Sequence, residues 1–149
     1  MTIYAALRVL HLLFAVIWVG GIFFTYVVLR PSLAAIEPTP RMLLHTQVFR
    51  RFFLIVWHAM PIMLLTGVAM VYLGGGMSIQ PWPVHAMVTF GVLMSAIFLV
   101  IFFGPYRQFR RTTNRDRMAS TLNTMRRLIA VNLIIGLITV IIGGLIGFV

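Results

Sequence analysis

Histidines are the residues of this chain best suited to chemistry at neutral pH, and three of the four lie in or beside long apolar stretches. His11 opens the run HLLFAVIWVGGIFFTY, and no charged residue lies between Arg8 and Arg30. An ionisable side chain inside a bilayer is costly unless it finds a partner, so it is a functional candidate by default. The first question about function is therefore what the His11 imidazole meets.

Four uncharged apolar runs must position these histidines. Each has about 20 residues, the length that a helix needs to cross ~30 Å of hydrocarbon. The 149-residue chain is 61% hydrophobic and 9% charged, whereas about 25% of the residues of a soluble domain are charged. We predict an all-α integral membrane protein, a bundle of four transmembrane helices. It forms one domain over residues 1–149, with helices at about 3–29, 41–73, 84–104 and 118–149.

The positive charges are confined almost entirely to two connections. All 12 cationic residues are arginines, and all except Arg8 fall within 30–51 or 107–127. The other connection and the C-terminal run are uncharged, so the positive-inside rule predicts cytoplasmic arginine-rich connections and both termini outside. These arginines favour anionic lipid headgroups as partners, at ~1 kcal/mol each, and nucleic acid is not expected.

The composition also excludes several classes of function. The chain has no cysteine, so disulfides, thiolate metal sites and iron–sulfur clusters are absent. No nucleophile–base pair, phosphate-binding loop or pair of carboxylates is evident, which argues against hydrolytic and phosphoryl-transfer enzymes. A non-enzymatic role is favoured; an enzyme of this composition would be a haem-dependent membrane oxidoreductase.

Counting residues from the arginines sorts the histidines by depth. At 1.5 Å per residue, His11 and His85 lie roughly 28 and 33 Å from the arginine plane, and His58 only about 10 Å. His11 and His85 are therefore the predicted pair, on the first and third helices. His45 is expected to be solvated, in an extension of the second helix. The alternative for the two outer histidines is simple hydrogen bonding to a threonine or a carbonyl.

One chemistry for this pair is the ligation of a b-type haem. Two imidazoles from different helices of a bundle can hold haem iron axially, with Trp18 as part of the wall. Arg8 lies one turn before His11 and is a candidate for a haem propionate. The alternative for Arg8 is that it reaches out to lipid headgroups. A haem protein of this kind would exchange electrons with a quinone or act on a porphyrinogen.

The other chemistry is the binding of copper. Histidine together with methionine thioether suits Cu(I), which is a soft ion. Met70 and Met87 are predicted toward the outer side, within reach of His11 and His85, so these four residues form the candidate metal site.

Three segments give the chain a family resemblance: His11 seven residues before Trp-Val-Gly-Gly, then FFTYVVLRP, then RRFFLIVWHAM. With them the chain resembles the bacterial copper-resistance protein D family. The resemblance implies a bacterial inner-membrane protein of copper homeostasis or uptake, and a role for His11 and His85 as periplasm-facing residues; in such a membrane the predicted outer side of both termini is the periplasm. For this function a periplasmic copper protein is a possible partner, and a homodimer is possible because four helices offer little room for a transport pathway.

The histidine pattern is also similar to that of the haem-binding four-helix protoporphyrinogen oxidase family, which pairs a first-helix histidine with a third-helix histidine and a lysine. Here Ala86 and Met87 follow His85, and the chain has no lysine, which argues against the oxidase activity but not against haem. Copper handling is thus the leading hypothesis. A b-haem redox protein is the alternative, and a structural subunit is the third.

Overall fold

The computed structural model describes residues 2–148, so Met1 and Val149, the ends of the predicted domain, lie outside it. Four long helices make up the fold: α1 (Ile3–Phe23), α2 (Pro38–Leu73), α3 (Trp82–Ile101) and α4 (Arg115–Gly144). With the short turns that continue them, all four are long and apolar enough to cross a membrane. The described residues contain no β-strand. The prediction of an all-α, four-helix membrane bundle is confirmed.

Two of the helices begin a few residues earlier than the sequence suggested. α2 begins at Pro38 rather than near 41, because a proline in the first turn has no N–H that the helix needs. α4 begins at Arg115 rather than near 118, because the Asn114 side chain accepts hydrogen bonds from the backbone N–H groups of Asp116 and Arg117. Both starts follow from local capping rather than from the apolar pattern.

The first and third helices continue past their α-helical ends in wider turns. α1 runs into a π-helix, Phe24–Leu29, and α3 runs into a second, Phe102–Tyr106. Each lies at a proline, Pro31 or Pro105, whose ring would clash with a carbonyl in the preceding turn of a regular α-helix. A short helix follows each π-helix, Arg30–Ser32 in one case and Arg107–Arg111 in the other.

The bundle is built from two antiparallel pairs, because α1 packs mainly against α2 and α3 mainly against α4. We call the end that carries residues 30–51 and 107–127 the arginine-rich end. The opposite end, with Thr2 and the Gly74–Gln80 connection, is the terminal end. Stacked and edge-on aromatic rings fill the core toward the arginine-rich end; they are Phe49, Phe53, Phe98, Phe102, Tyr106 and Phe109.

Small residues bring α4 close to its neighbours toward the terminal end. A Cβ at Gly136 would lie 3.0 Å from Met94 Cε and 3.2 Å from Val19 Cγ2. One at Gly143 would lie 3.4 Å from Met87 Cε. Close approach at glycines is a common way for membrane helices to associate, since lipid tails supply no hydrophobic driving force between helices.

Candidate metal site

The His11 imidazole contacts α2, and its hydrogen bonds determine which ring nitrogen carries the proton. Nδ1 lies 2.9 Å from the Met63 carbonyl oxygen and 3.2 Å from Thr66 Oγ1. A carbonyl oxygen can only accept, so Nδ1 carries the proton and donates it to Met63. The neutral ring therefore keeps a lone pair on Nε2. Histidines that bind metals have this arrangement, in which one nitrogen donates to a carbonyl and the other is left to coordinate.

A glycine of α2 makes room for this ring. A Cβ at Gly67 would lie 3.3 Å from His11 Cε1 and 3.6 Å from Nδ1, closer than an ordinary contact in the first case. A larger residue at this position would push the imidazole away from Met63 and Thr66. Sequence reasoning did not single out Gly67, Met63 or Thr66, although TGVAM following Met63 is a small-residue, hydroxyl-bearing stretch at the same depth as His11.

Met70 is the candidate thioether nearest to His11 along α2. It is partly buried and lies one helical turn beyond Gly67, toward the terminal end. It also lies seven residues from Met63, which places both on the side of α2 that packs against α1. His11 and Met70 thus share one seam of the bundle, between α1 and α2.

His85 occupies a different environment, on the exposed side of α3. Its Nε2 lies 3.2 Å from the carbonyl oxygen of Gln80, in the connection that precedes the helix. By the same argument Nε2 carries the proton, and the lone pair of His85 is on Nδ1. His11 and His85 therefore each have one nitrogen bound to a carbonyl and one available for a ligand.

The structure separates His11 from His85 along the bundle. Trp18 of α1 meets Phe98 of α3 edge-on, with ring centroids 6.5 Å apart, which fixes the two helices relative to each other. From that contact His11 is seven residues away and His85 thirteen, so they lie roughly 10 and 20 Å toward the terminal end. His11 faces α2, whereas His85 bonds back to the start of its own helix.

The remaining predicted site residues fall in three places. The Met87 side chain packs in the seam between α3 and α4, against Gly143. Trp18 is only 1% exposed and belongs to the core beneath His11. Arg8 is exposed on α1, one turn from His11 toward the terminal end.

The expectation that His45 is solvated is wrong. Its side chain is 6% exposed and stacks on Phe49, with ring centroids 5.7 Å apart and planes inclined by 18°. With Tyr26, Arg30 and Arg126 it lines a cleft between the α1 extension, α2 and α4. The apolar run of α2 starts only after this point, but the helix itself begins at Pro38, and its first turns pack within the bundle instead of projecting into water.

His58 is exposed on α2, and its hydrogen bond is local. Its Nδ1 lies 2.8 Å from the carbonyl oxygen of Leu54, one turn back on the same helix. It contacts neither His11 nor His85, in keeping with the different depth predicted for it.

No group of three or more histidine, cysteine, aspartate or glutamate side chains is close enough to hold a metal ion within residues 2–148. Imidazole together with methionine sulfur, the combination predicted from the sequence, does not require such a group and suits Cu(I).

A comparison with known protein families identifies the chain. The family model described as Copper resistance protein D matches residues 46–146, which is more than half of the sequence. The chain belongs to the copper resistance protein D family. It is a multi-pass membrane protein of that family, as four apolar helices and the family match together establish.

The matched range covers only part of the candidate metal site. The match includes His58, Met70, His85 and Met87 but starts after His11. The case for His11 as a metal ligand therefore comes from its hydrogen bonds and not from the family match. None of the comparisons supports a haem protein. The chain has no significant match to a curated protein, and none to a solved structure.

Proposed function

We propose that this membrane protein handles copper by binding Cu(I) at the terminal end of the bundle, through Nε2 of His11 with the Met70 thioether as a second ligand. The observation that carries this proposal is the hydrogen bond from His11 Nδ1 to the Met63 carbonyl, which leaves Nε2 with a free lone pair inside an apolar seam. Family membership supplies the choice of copper.

The chemistry of the seam favours a soft monovalent ion over harder ones. The two acidic residues, Glu37 and Asp116, lie at the start of α2 and α4, at the arginine-rich end. Hard cations such as Mg²⁺ and Ca²⁺ require oxygen ligands, and carboxylates are their usual source. Imidazole and thioether bind Cu(I) well, and a monovalent ion costs less to desolvate in an apolar seam than a divalent one.

The charge asymmetry supports an orientation for the site. With the arginine-rich end in the cytoplasm, the terminal end faces the periplasm of a bacterial inner membrane. Cu(I) would then reach His11 from the outer side, past the exposed Arg8 and His85, and a periplasmic copper protein would be its source. Arg8, one turn from the site, suits a lipid phosphate or an acidic surface of such a donor.

The test replaces His11 in a way that preserves its hydrogen bond. In His11→Asn the amide nitrogen sits close to the former Nδ1 position and still donates to Met63, but the group that occupied Nε2 is gone. We expect Cu(I) affinity, measured by competition with a chromophoric Cu(I) chelator in detergent, to fall at least about 100-fold. Removing a residue that hydrogen-bonds to a metal ligand already lowers metal affinity about 10–100-fold, so removing the ligand itself should lower it further.

The matched control is His58→Asn, which removes an exposed imidazole of the same bundle that bonds only to its own helix. Its Cu(I) affinity should equal that of the unmodified protein. Equal affinities for His11→Asn and His58→Asn, with both variants folded, would rule out His11 as a ligand.

A further inference from the structure

A groove at the arginine-rich end stands out because nothing in the copper chemistry uses it. It runs between the continuation of α3, residues 103–112, and the first three turns of α4. Two adjoining hollows of about 540 and 670 Å³ form it, and they share Gly104, Gln108 and Arg117. We call it the basic groove.

One wall of the basic groove is held by buried aromatic residues. In the turn and short helix that continue α3, Tyr106 and Phe109 are 4% and 1% exposed and anchor this segment in the core. Arg107 and Arg111 lie on the opposite face and are exposed, so their guanidinium groups line the groove instead of packing inside. The wall is therefore a fixed scaffold that presents two cations.

The other wall is a hydroxyl-rich stripe of α4. Arg117, Ser120, Thr121 and Thr124 recur at helical spacing and line the groove together. Thr121 is only 5% exposed, so at this residue the groove reaches the packed layer of the bundle.

The charge of the groove is uncompensated. The side chains of Arg107, Arg111 and Arg117 form no ion pair and no hydrogen bond among residues 2–148, and neither acidic residue lines the groove. Arg110, the neighbouring cation, is instead engaged with Tyr106, its guanidinium carbon 5.8 Å from the ring centroid. The guanidinium groups of Arg107, Arg111 and Arg117 can only donate, and the hydroxyls of the groove can donate as well, which suits the acceptor oxygens of a phosphate group.

From these observations we infer that the basic groove binds the headgroup of an anionic phospholipid. The groove lies where the apolar span ends: Phe103, which is 56% exposed, and Gly104 lie at its apolar edge beside the arginines. A phospholipid matches that order of surfaces, with acyl chains against Phe103 and phosphate against the guanidinium groups. A free phosphate would use only the polar part. The site is independent of the proposed copper chemistry at the other end of the bundle.

The test measures retention of lipid by the purified full chain in a neutral detergent, using native mass spectrometry. The probes are phosphatidylglycerol and phosphatidylcholine with identical acyl chains. Phosphatidylglycerol should be retained preferentially, and the triple variant Arg107→Gln, Arg111→Gln, Arg117→Gln should weaken that retention at least about tenfold, because it removes the three cations that would hold the phosphate. The variant Gly104→Leu should weaken it as well, because a Cβ there meets no atom within 4 Å and a larger side chain would fill the groove without changing its charge.

The control is a second triple variant, Arg50→Gln, Arg51→Gln, Arg127→Gln, which removes the same charge from exposed positions at the same end but outside the groove. Its retention of phosphatidylglycerol should stay within about twofold of the unmodified protein. Equal losses in the two triple variants would overturn the site in favour of general attraction between charges. Equal retention of phosphatidylcholine, or displacement of phosphatidylglycerol by inorganic phosphate at millimolar concentration, would overturn a lipid as the occupant.

Discussion

The two halves of this bundle are packed with different kinds of side chain. Toward the arginine-rich end the core is a set of interlocking aromatic rings, in which Phe53 alone contacts Phe49, Phe98, Phe102 and Tyr106. Toward the terminal end the seams consist of glycines, threonine and methionine thioethers, with His11 set against Gly67. Aromatic pairs add directional packing energy of about 0.5–1.5 kcal/mol each, whereas the glycine seams leave backbone carbonyls within reach of side chains.

The two kinds of packing suit different roles, one in holding helices together and one in offering ligands. In the aromatic half, ring contacts join α2 to α3 through Phe53 and Phe98, and α1 to α3 through Trp18 and Phe98. In the terminal half the Met63 carbonyl accepts a hydrogen bond from the His11 imidazole, and Met70 lies on the same side of α2 as Met63. Imidazole and thioether are ligand types that suit a soft ion. In the proposed function, copper binds in the half whose packing offers ligands, and the charges at the other end hold the protein to the lipid surface.

After the loss of His11 itself, we expect the largest change in Cu(I) affinity from Thr66→Val, a variant in the terminal half. The hydroxyl lies 3.2 Å from His11 Nδ1 and supports the ring beside the Met63 carbonyl. Removing it should weaken Cu(I) binding about tenfold, in the range seen for partners that orient a metal ligand. The matched control is Thr139→Val on α4, whose hydroxyl donates to the Ile135 carbonyl and has no contact with a histidine. If both variants bind Cu(I) like the unmodified protein, Thr66 does not support a ligand.

A smaller effect is expected from His85→Ala. Because His85 is exposed and lies about 9 Å further along the bundle than His11, it should not share one ion with it. Its loss should change Cu(I) affinity by less than about threefold, as expected of a site that acts independently. A loss as large as that of His11→Asn would show that the two histidines bind the same ion, as the sequence alone suggested.

The smallest expected effect is a change in thermal stability, at the arginine-rich end. Arg126 has an Nε atom that is buried without a hydrogen-bond partner among the described residues, and Arg30 and Arg41 lie near enough to repel its charge. Arg126→Met keeps the apolar stem and removes the charge, so the midpoint of thermal unfolding in detergent should rise by about 2 °C. Arg127→Met, at an exposed neighbour, should leave it unchanged. A lower midpoint for Arg126→Met would mean that this arginine makes a net stabilising interaction.

Much of the fold could be predicted from the sequence because it follows from one-dimensional patterns. Apolar run length gives the four spans, and the prolines and Asn114 explain where helices start. The partner of His11 could not be found in this way, since depth counted from the arginines does not say which helix is adjacent. Depth pointed to His85, whereas the hydrogen-bond partners of His11 are on α2, its neighbour in the bundle.

His45 illustrates a second limit of sequence patterns. His45 lies in RMLLHTQVFRR, a segment whose polar and charged residues predict exposure to water, but the α1 extension and α4 pack around it and bury it. The hydrogen-bonding alternative that the sequence left open for His11 is what the structure shows, and it is compatible with metal binding because it uses only one ring nitrogen.

The central claim is that His11 Nε2 is a ligand for Cu(I), and X-ray absorption spectroscopy at the copper edge tests it most directly. Cu(I)-loaded unmodified protein should show the multiple-scattering pattern of an imidazole together with sulfur scattering from a thioether. In His11→Asn the imidazole pattern should disappear, while in His58→Asn it should persist. An imidazole pattern that survives unchanged in His11→Asn, or its absence from the unmodified protein, would contradict the account.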